Sequence, residues 1–381
     1  MKFSSRSKRV VILTRCLIRA MMSGSADKIP KDISRVIVVP TGKLGDVVCV
    51  TPVLMALRNR LPRVYIIVAG NSRLHQALLS DSGLVDEYLN LEEKDSISII
   101  KKSRVDAAFV TGPSFEPIAK LYVAGVPLVV APKITGGFSP SETRPYKILQ
   151  RFVKNFPYHI EAYAPRERLR ALESIGIVSD DTKKHLGFSE DADKKTKQFL
   201  IDNGIDIEKD IVVGISPTAG NKIKEWPEER FAEVANYVAG KYNARIVMIG
   251  APNDEEKIKK TIGHMKSDIK VLKITDFNVD MLKALMAKLS LFIAVDTGPI
   301  YIAEAFNIPT IDIVGPVDER VQPPRGLIHR NVLPPGRLRA ELSILNARSY
   351  NAEEASRQVL SITVKAVSNE IETLMRDIYK L

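Results

Sequence analysis

From Arg35 onward, short β-branched runs alternate with helical stretches, and few folds other than parallel sheets built from β-α-β units accommodate that pattern. Strands are expected at 35–39, 64–69, 85–90, 106–110 and 128–131. A second series follows at 211–216, 245–249, 271–275, 291–295 and 310–314, separated by helices such as 228–242. Two series mean two α/β domains, each of the doubly wound, Rossmann-like kind, with ligands bound in a cleft beyond the carboxyl ends of the strands. The expected division is a basic N-terminal extension at 1–34, a first domain at 35–160, a second at 161–350 and a C-terminal helix at 351–381. That last helix, over about 352–379, has Val364, Val367, Ile371, Leu374 and Ile378 on one face.

Composition narrows the partners. The 381 residues suffice for two cores, and the longest apolar run, 121–132, contains Gly125 and Pro127 and falls short of the ~18 residues of a spanning helix. Two cysteines, with no C-x-x-C and no H-E-x-x-H, argue against a disulfide framework or structural zinc and for a reducing cytoplasm. The formal charge of +11 is unevenly spread. Residues 1–35 carry +7, and the polar connector 133–170 carries +5. The body after residue 35 is only +4, aromatics make up 6%, and no nucleic-acid reading motif occurs, so a nucleic-acid partner is not expected. In the N-terminal segment Val10, Leu13, Leu17, Ala20 and Met21 recur at helical spacing, with Arg9, Arg15 and Arg19 mostly elsewhere on the wheel. Such a helix reads either as a foot on an anionic membrane surface or as a loosely held tail. Arg15 and Arg19 interrupt the apolar stretch and disfavour a cleaved signal peptide. The connector holds Gly136, Gly137, Pro140, Pro145 and Pro157 and is long enough to read as a functional loop.

Four strand ends carry chemistry. The first strand runs into Pro40-Thr41-Gly42-Lys43-Leu44-Gly45-Asp46, with a helix expected over about 46–60. The glycines permit a tight turn and close approach, and the helix start offers free N–H groups. Asp46 is either a cap for that helix or a carboxylate base. The second-series strand at 211–216 leads to Thr218, Lys222, Lys224, Trp226 and Pro227, a lysine loop before a positive helix end, suited to a diphosphate or merely solvated. Trp226 is expected to pack rather than stack on a base. Asp254 and Glu255 follow the strand at 245–249, where they either complement a helix dipole or accept ribose hydroxyls. Asp296-Thr297-Gly298-Pro299 follows the strand at 291–295. Thr297 and the N–H groups after Gly298 suit phosphate oxygens, and Asp296 suits orientation of Lys224 or a sugar hydroxyl.

With G-x-L-G-D at Gly42 to Asp46, K-x-W-P at Lys224 to Pro227 and D-T-G-P at Asp296 to Pro299, the chain resembles glycosyltransferase family 9, the ADP-heptose:lipopolysaccharide heptosyltransferases. The likeness covers about 35–324. It implies the GT-B fold, with two Rossmann-like domains whose parallel sheets face a central cleft. It further implies metal-independent transfer of a heptose, with inversion, to the inner core of lipopolysaccharide at the cytoplasmic face of the inner membrane. Carried to this sequence, Asp46 is the general base, with Lys43 and Gly45 beside it on the acceptor side. Lys224 binds donor phosphate with Thr218 and Lys222, and Asp296, Thr297 and Gly298 line the donor site. Glu255 (or Asp254) reaches the ribose, and Phe277 falls at the adenine pocket. Where the family usually has D-T-G-x-x-H, this chain has Tyr301, which donates a hydrogen bond but carries no positive charge at neutral pH.

Displacing a nucleoside diphosphate from a sugar needs a base for the acceptor and positive charge for the leaving phosphates, and Asp46 and Lys224 supply these without cofactor or metal. The only D-x-D, Asp191 to Asp193, is expected at a helix start on a solvated surface. The implied partners are a nucleotide-sugar donor, a phosphorylated or anionic glycolipid acceptor and the inner-membrane surface. Two alternatives remain open: transfer of another nucleotide-sugar in surface glycan synthesis, and a non-catalytic nucleotide-sugar-binding module.

Overall fold

The computed structural model describes residues 5–70, 73–342 and 350–380 and divides into two compact units, 1–185 and 186–381. In the first, α1 (Ser5–Ser23) precedes β1 (Arg35–Val39), α2 (Leu44–Val48), α3 (Thr51–Arg60), β2 (Tyr65–Gly70) and α4 (Arg73–Leu79). Then come β3 (Glu87–Asn90), α5 (Ser96–Lys102), β4 (Ala107–Val110), α6 (Phe115–Ala124), β5 (Leu128–Gly136), α7 (Arg144–Leu149), β6 (Lys154–His159) and α8 (Ala164–Leu169). The six strands pair in parallel in the order β3-β2-β1-β4-β5-β6. Strand order reverses between β1 and β4, so the turn after β1 leaves the sheet at the switch point where open α/β sheets bind ligands.

The expected helix over 46–60 is two helices, α2 and α3. Pro52 suits a first turn, and the Thr51 hydroxyl donates to the Val48 carbonyl at 2.7 Å across the break. The connector is not a loop for most of its length. β5 continues to Gly136, and β6 adds a sixth strand at the sheet edge, where Pro157 is tolerated because its missing N–H faces no neighbour. Alternating buried and exposed side chains with no apolar run hid β6 from a hydrophobicity reading. The first unit reaches His185 rather than the expected 160, because α8 packs on α3 and the turn after it returns to β5 and β6.

The second unit contains α9 (Glu190–Asp202), β7 (Val212–Ser216), α10 (Glu228–Tyr242), β8 (Arg245–Ile249), α11 (Glu255–Gly263), β9 (Val271–Ile274) and α12 (Val279–Met286). It continues with β10 (Leu291–Val295), α13 (Gly298–Ala305), β11 (Thr310–Ile313), β12 (His329–Val332), α14 (Ala352–Ser361) and α15 (Val364–Tyr379). The sheet order is β12-β11-β10-β7-β8-β9, all parallel, with the reversal between β7 and β10. β12 was not expected, since His329-Arg330-Asn331-Val332 has one buried apolar residue and reads as polar loop. The single C-terminal helix is two: Ile362 leaves the helix, its carbonyl accepts from Trp226 Nε1 at 3.0 Å and from Arg230, and Thr363 caps α15 by accepting from the Ala366 N–H. Trp226 is fully buried and edge-to-face on Phe231, as packing requires.

The N-terminal helix is not uniformly outward. Leu13 and Ala20, expected on the membrane face, turn inward with Ile12 and Cys16 against the core that includes α6, while Val10, Leu17 and Met21 stay exposed. Lys2 lies outside the described residues. Among the described residues, no helix is long and apolar enough to cross a membrane.

Candidate functional site

The turn after β1 is shaped around one carboxylate. Gly42 sits at φ +110°, and a Cβ there would fall 2.2 Å from Asp46 Oδ2, so the side chain folds back only over glycine. Asp46 Oδ2 accepts the Lys43 N–H at 2.9 Å. Asp46 Oδ1 accepts from Arg168 Nη2 at 2.7 Å, while Arg168 Nη1 donates to the Asp46 carbonyl, also at 2.7 Å. The cap reading holds, since one oxygen secures the turn; the other is gripped by a guanidinium, and 15% of the side chain stays exposed. Gly45 is buried in α2 and Lys43 is exposed.

Three neighbours had no sequence signal. Arg168 entered only as a basic residue of the connector, and its side chain is 2% exposed. Tyr158, in the unexpected β6, is pushed up to about 12 by burial, although Arg168 beside it pulls the other way. His75 on α4 is buried, and burial pushes its imidazole below the usual value against the opposing pull of Asp46 and the Gly42 backbone. Its Nδ1 is buried and has no hydrogen-bond partner among the described residues. A Cβ on Gly70 would fall 2.7 Å from that atom.

In the second unit both loops at the strand reversal, after β7 and after β10, converge. Lys224 Nζ lies 2.8 Å from Asp296 Oδ2 and also donates to the Asp296 carbonyl. The Tyr301 hydroxyl donates to Asp296 Oδ1. Asp296 is thus held by a lysine and a phenol, on side chains only 9% (Asp296) and 17% (Lys224) exposed. Thr297 is the N-cap of the eight-residue α13 without a side-chain cap bond, Pro299 sits in the first turn, and the Ile300 N–H turns back to the Thr297 carbonyl at 3.2 Å. Thr218 is buried on the β7 loop and Lys222 is exposed. Glu225 closes that loop by accepting the Ala219 N–H at 3.1 Å and pairing with Lys257 at 2.8 Å.

Other expected residues have local partners. Glu255 pairs with Lys273 at 2.6 Å and Lys259 at 3.1 Å, which hold its carboxyl down at about 2. Asp254 accepts the Ala251 N–H at 2.8 Å and so secures the turn after β8. Phe277 is half-buried and edge-to-face with Phe199, ring centroids 5.0 Å apart. Asp191 and Asp193 lie in the first turn of α9, capped by Ser189; Asp191 pairs with Lys195, and Asp193 with Lys197 and Lys288. Beneath α13 the sequence reading missed Asp312 on β11. It is fully buried, and neither carboxylate oxygen has a hydrogen-bond partner among the described residues. Desolvation pushes its carboxyl well above the usual range, with Asp296 and Glu304 adding to the shift and Lys224 opposing it.

A family model described as glycosyltransferase family 9 (heptosyltransferase) matches residues 119–333. The lipopolysaccharide core heptosyltransferase OpsX of Haemophilus influenzae is 30% identical over 142 residues, 37% of this chain and 39% of that one. The match therefore spans well under half of that relative. Among solved structures, a glycosyl transferase family 9 protein of Veillonella parvula has a TM-score of 0.74 at 22% identity, over 91% of this chain and 99% of its own. The ADP-heptose lps heptosyltransferase II of E. coli gives 0.70 at 18% identity, over 90% and 99%. At these identities the structural likeness speaks for the fold, which is GT-B.

Proposed function

The chain belongs to glycosyltransferase family 9, and from that premise we propose that it moves a heptose from ADP-heptose onto the core of a lipopolysaccharide or a related anionic glycolipid, with inversion and without a metal. The observation that carries the reading is the Lys224–Asp296 pair at the N-terminus of α13, at the strand reversal of the second sheet. It offers a diphosphate a lysine, a threonine hydroxyl and the positive end of a helix dipole.

In the reaction, an acceptor hydroxyl attacks the anomeric carbon from the face opposite the leaving group. The new C–O bond forms as the bond from that carbon to the diphosphate oxygen breaks, and the electron pair leaves with the nucleoside diphosphate. Asp46 accepts the hydroxyl proton. Arg168 and the Lys43 N–H keep its carboxylate in one orientation, the part a third group plays in other nucleophile–base pairs. Lys224, with Lys222, Thr218, Thr297 and the N–H groups after Gly298, stabilises the charge that develops on the diphosphate. Glu255 and Phe277 serve the nucleoside, and Lys43 and Gly45 border the acceptor. Such an acceptor places the protein at the cytoplasmic face of the inner membrane.

A second reading, transfer from another nucleotide-sugar, is favoured by Tyr301, since a phenol replaces the cationic donor that the family's histidine supplies. Thermal shift with ADP, UDP, GDP and CMP separates the two, because the matching nucleotide stabilises the protein in proportion to ln(1 + [L]/Kd). Stabilisation by ADP, with turnover of ADP-heptose in the presence of chelator, is expected. Stabilisation by UDP alone would move the assignment to the second reading.

A further inference from the structure

Helix α1 is apolar on two opposite sides, and the first unit covers only one. Inward, Cys16 Sγ–H donates to the Ala119 carbonyl on α6, and the Arg19 guanidinium lies over the Tyr122 ring at 5.2 Å. The Tyr122 hydroxyl donates to the Gly24 carbonyl at 2.6 Å. Beyond the helix, Ala26 donates to the Phe152 carbonyl and accepts from the Val129 N–H, both at 2.8 Å, which stitches the segment to the sheet. The helix is therefore a docked part of the unit and not a frayed tail.

Outward, Val10, Val11, Leu17, Ile18, Met21 and Met22 are exposed, from 40% at Leu17 to 81% at Met22. At 100° per residue they form one continuous arc opposite Cys16, broken only by Thr14. An uncovered apolar arc on a helix whose other face is already glued down is an interaction surface. The tertiary structure adds what the chain order hid. α7 packs against α1, so the two basic stretches, far apart in sequence, meet in one region. Arg15 on α1, beside the arc, and Arg144, Lys147 and Arg151 in and just after α7 are exposed, against Asp27, Asp32 and the partly exposed Glu142.

We propose that the outward arc of α1 and the basic groups of the α7 segment form a single surface that docks on an anionic lipid bilayer, with α1 lying in the plane of the interface. Nineteen residues make a rod of about 28 Å, long enough to lie along a headgroup layer with its six apolar side chains in the acyl boundary. Charge chooses this occupant over a second copy of the chain. Two copies joined arc to arc would bring like-charged arginines and lysines together, whereas anionic headgroups complement them. The proposal rests on the reading of a glycolipid acceptor only for its purpose, because docking itself needs neither donor nor acceptor.

The test is flotation of the full chain with phosphatidylglycerol-containing vesicles and with pure phosphatidylcholine vesicles, at low and high salt. The wild type should float with the anionic vesicles and lose much of that binding in salt. The exposed triple variant Leu17→Ser, Ile18→Ser, Met21→Ser should bind about a hundredfold more weakly. The pair Arg144→Glu, Lys147→Glu should bind anionic vesicles at least about thirtyfold more weakly and leave the neutral ones unaffected. Unchanged binding in either variant, or a wild-type dimer that the triple variant dissociates, overturns the proposal. Transfer to a soluble, delipidated acceptor is measured alongside. Flotation without transfer supports the docking surface and counts against the assigned reaction, whereas transfer without flotation does the reverse.

Discussion

Asp46 and Asp296 each stand just beyond a strand at a sheet's reversal point, Asp46 after β1, the first strand of its unit, and Asp296 after β10, the counterpart of β4; each is paired with one cation, yet the cations differ in kind. Arg168 is buried and grips both the carboxylate and the carbonyl of Asp46. Lys224 is a point charge on a flexible stem, more exposed, and its one amine bonds both the carboxylate and the carbonyl of Asp296. On the proposed reaction, the same carboxylate–cation pair is a clamp in one unit and a deliverable charge in the other. A clamp serves a group that must stay still to take a proton, and a deliverable charge serves a group that must meet a ligand.

Asp46→Asn should lower transfer by roughly 100- to 10,000-fold while leaving the thermal shift with ADP intact, because an amide takes no proton; its single oxygen keeps either the Lys43 N–H or Arg168, so some loss of stability goes with it. Near-wild-type turnover would return Asp46 to a purely structural role. Arg168→Met should cost about 3 kcal/mol or more in urea unfolding, since one partner of a buried pair is left alone, with donor affinity unchanged. Lys224→Met should lower donor affinity by calorimetry about 10- to 100-fold, the worth of a bond between charged groups, with a smaller loss in unfolding than Arg168→Met because Asp296 keeps the Tyr301 hydroxyl. If the Arg168 variant weakens donor binding and the Lys224 variant mainly unfolds, clamp and deliverable charge have been assigned the wrong way round.

Smaller effects sharpen the second site. Tyr301→Phe removes one hydrogen bond to Asp296 and should cost about 1 kcal/mol of stability, visible as a lowered melting temperature. Asp312→Asn should act through pH. Its carboxyl is raised in the folded state above the unfolded value of about 3.9, so the stability it contributes is full below that pH and is lost as pH rises toward the folded value. The asparagine variant should therefore match the wild type near pH 4 and grow progressively more stable than it toward neutrality. A gap that is constant with pH would show that Asp312 does not titrate in that window.

Much of the architecture was legible in the chain. Runs such as Arg35–Val39 and Leu291–Val295 are continuous β-branched or apolar stretches, the mark of strands buried on both faces, and the glycines and prolines after them announce the turns. The edge strands β6 and β12 were not legible, because an edge needs no apolar run and tolerates proline and charge. The break between α14 and α15 was equally hidden. No helix breaker stands at Ile362-Thr363, and the chain leaves the helix where the Ile362 carbonyl meets Trp226 and Arg230.

The local features were written in the chain: which strand ends carry carboxylates, lysines and glycines; that Gly42 leaves room for Asp46 to fold back came from the structure. Only the tertiary structure decided the partners. Arg168 stands 122 positions from Asp46, and Lys224 stands 72 from Asp296. Which side of α1 is covered likewise depended on α6 lying beneath it. The physical reason is that periodicity and turn chemistry are encoded in neighbouring residues, whereas a salt bridge across a sheet depends on strand order, which no short stretch of chain contains.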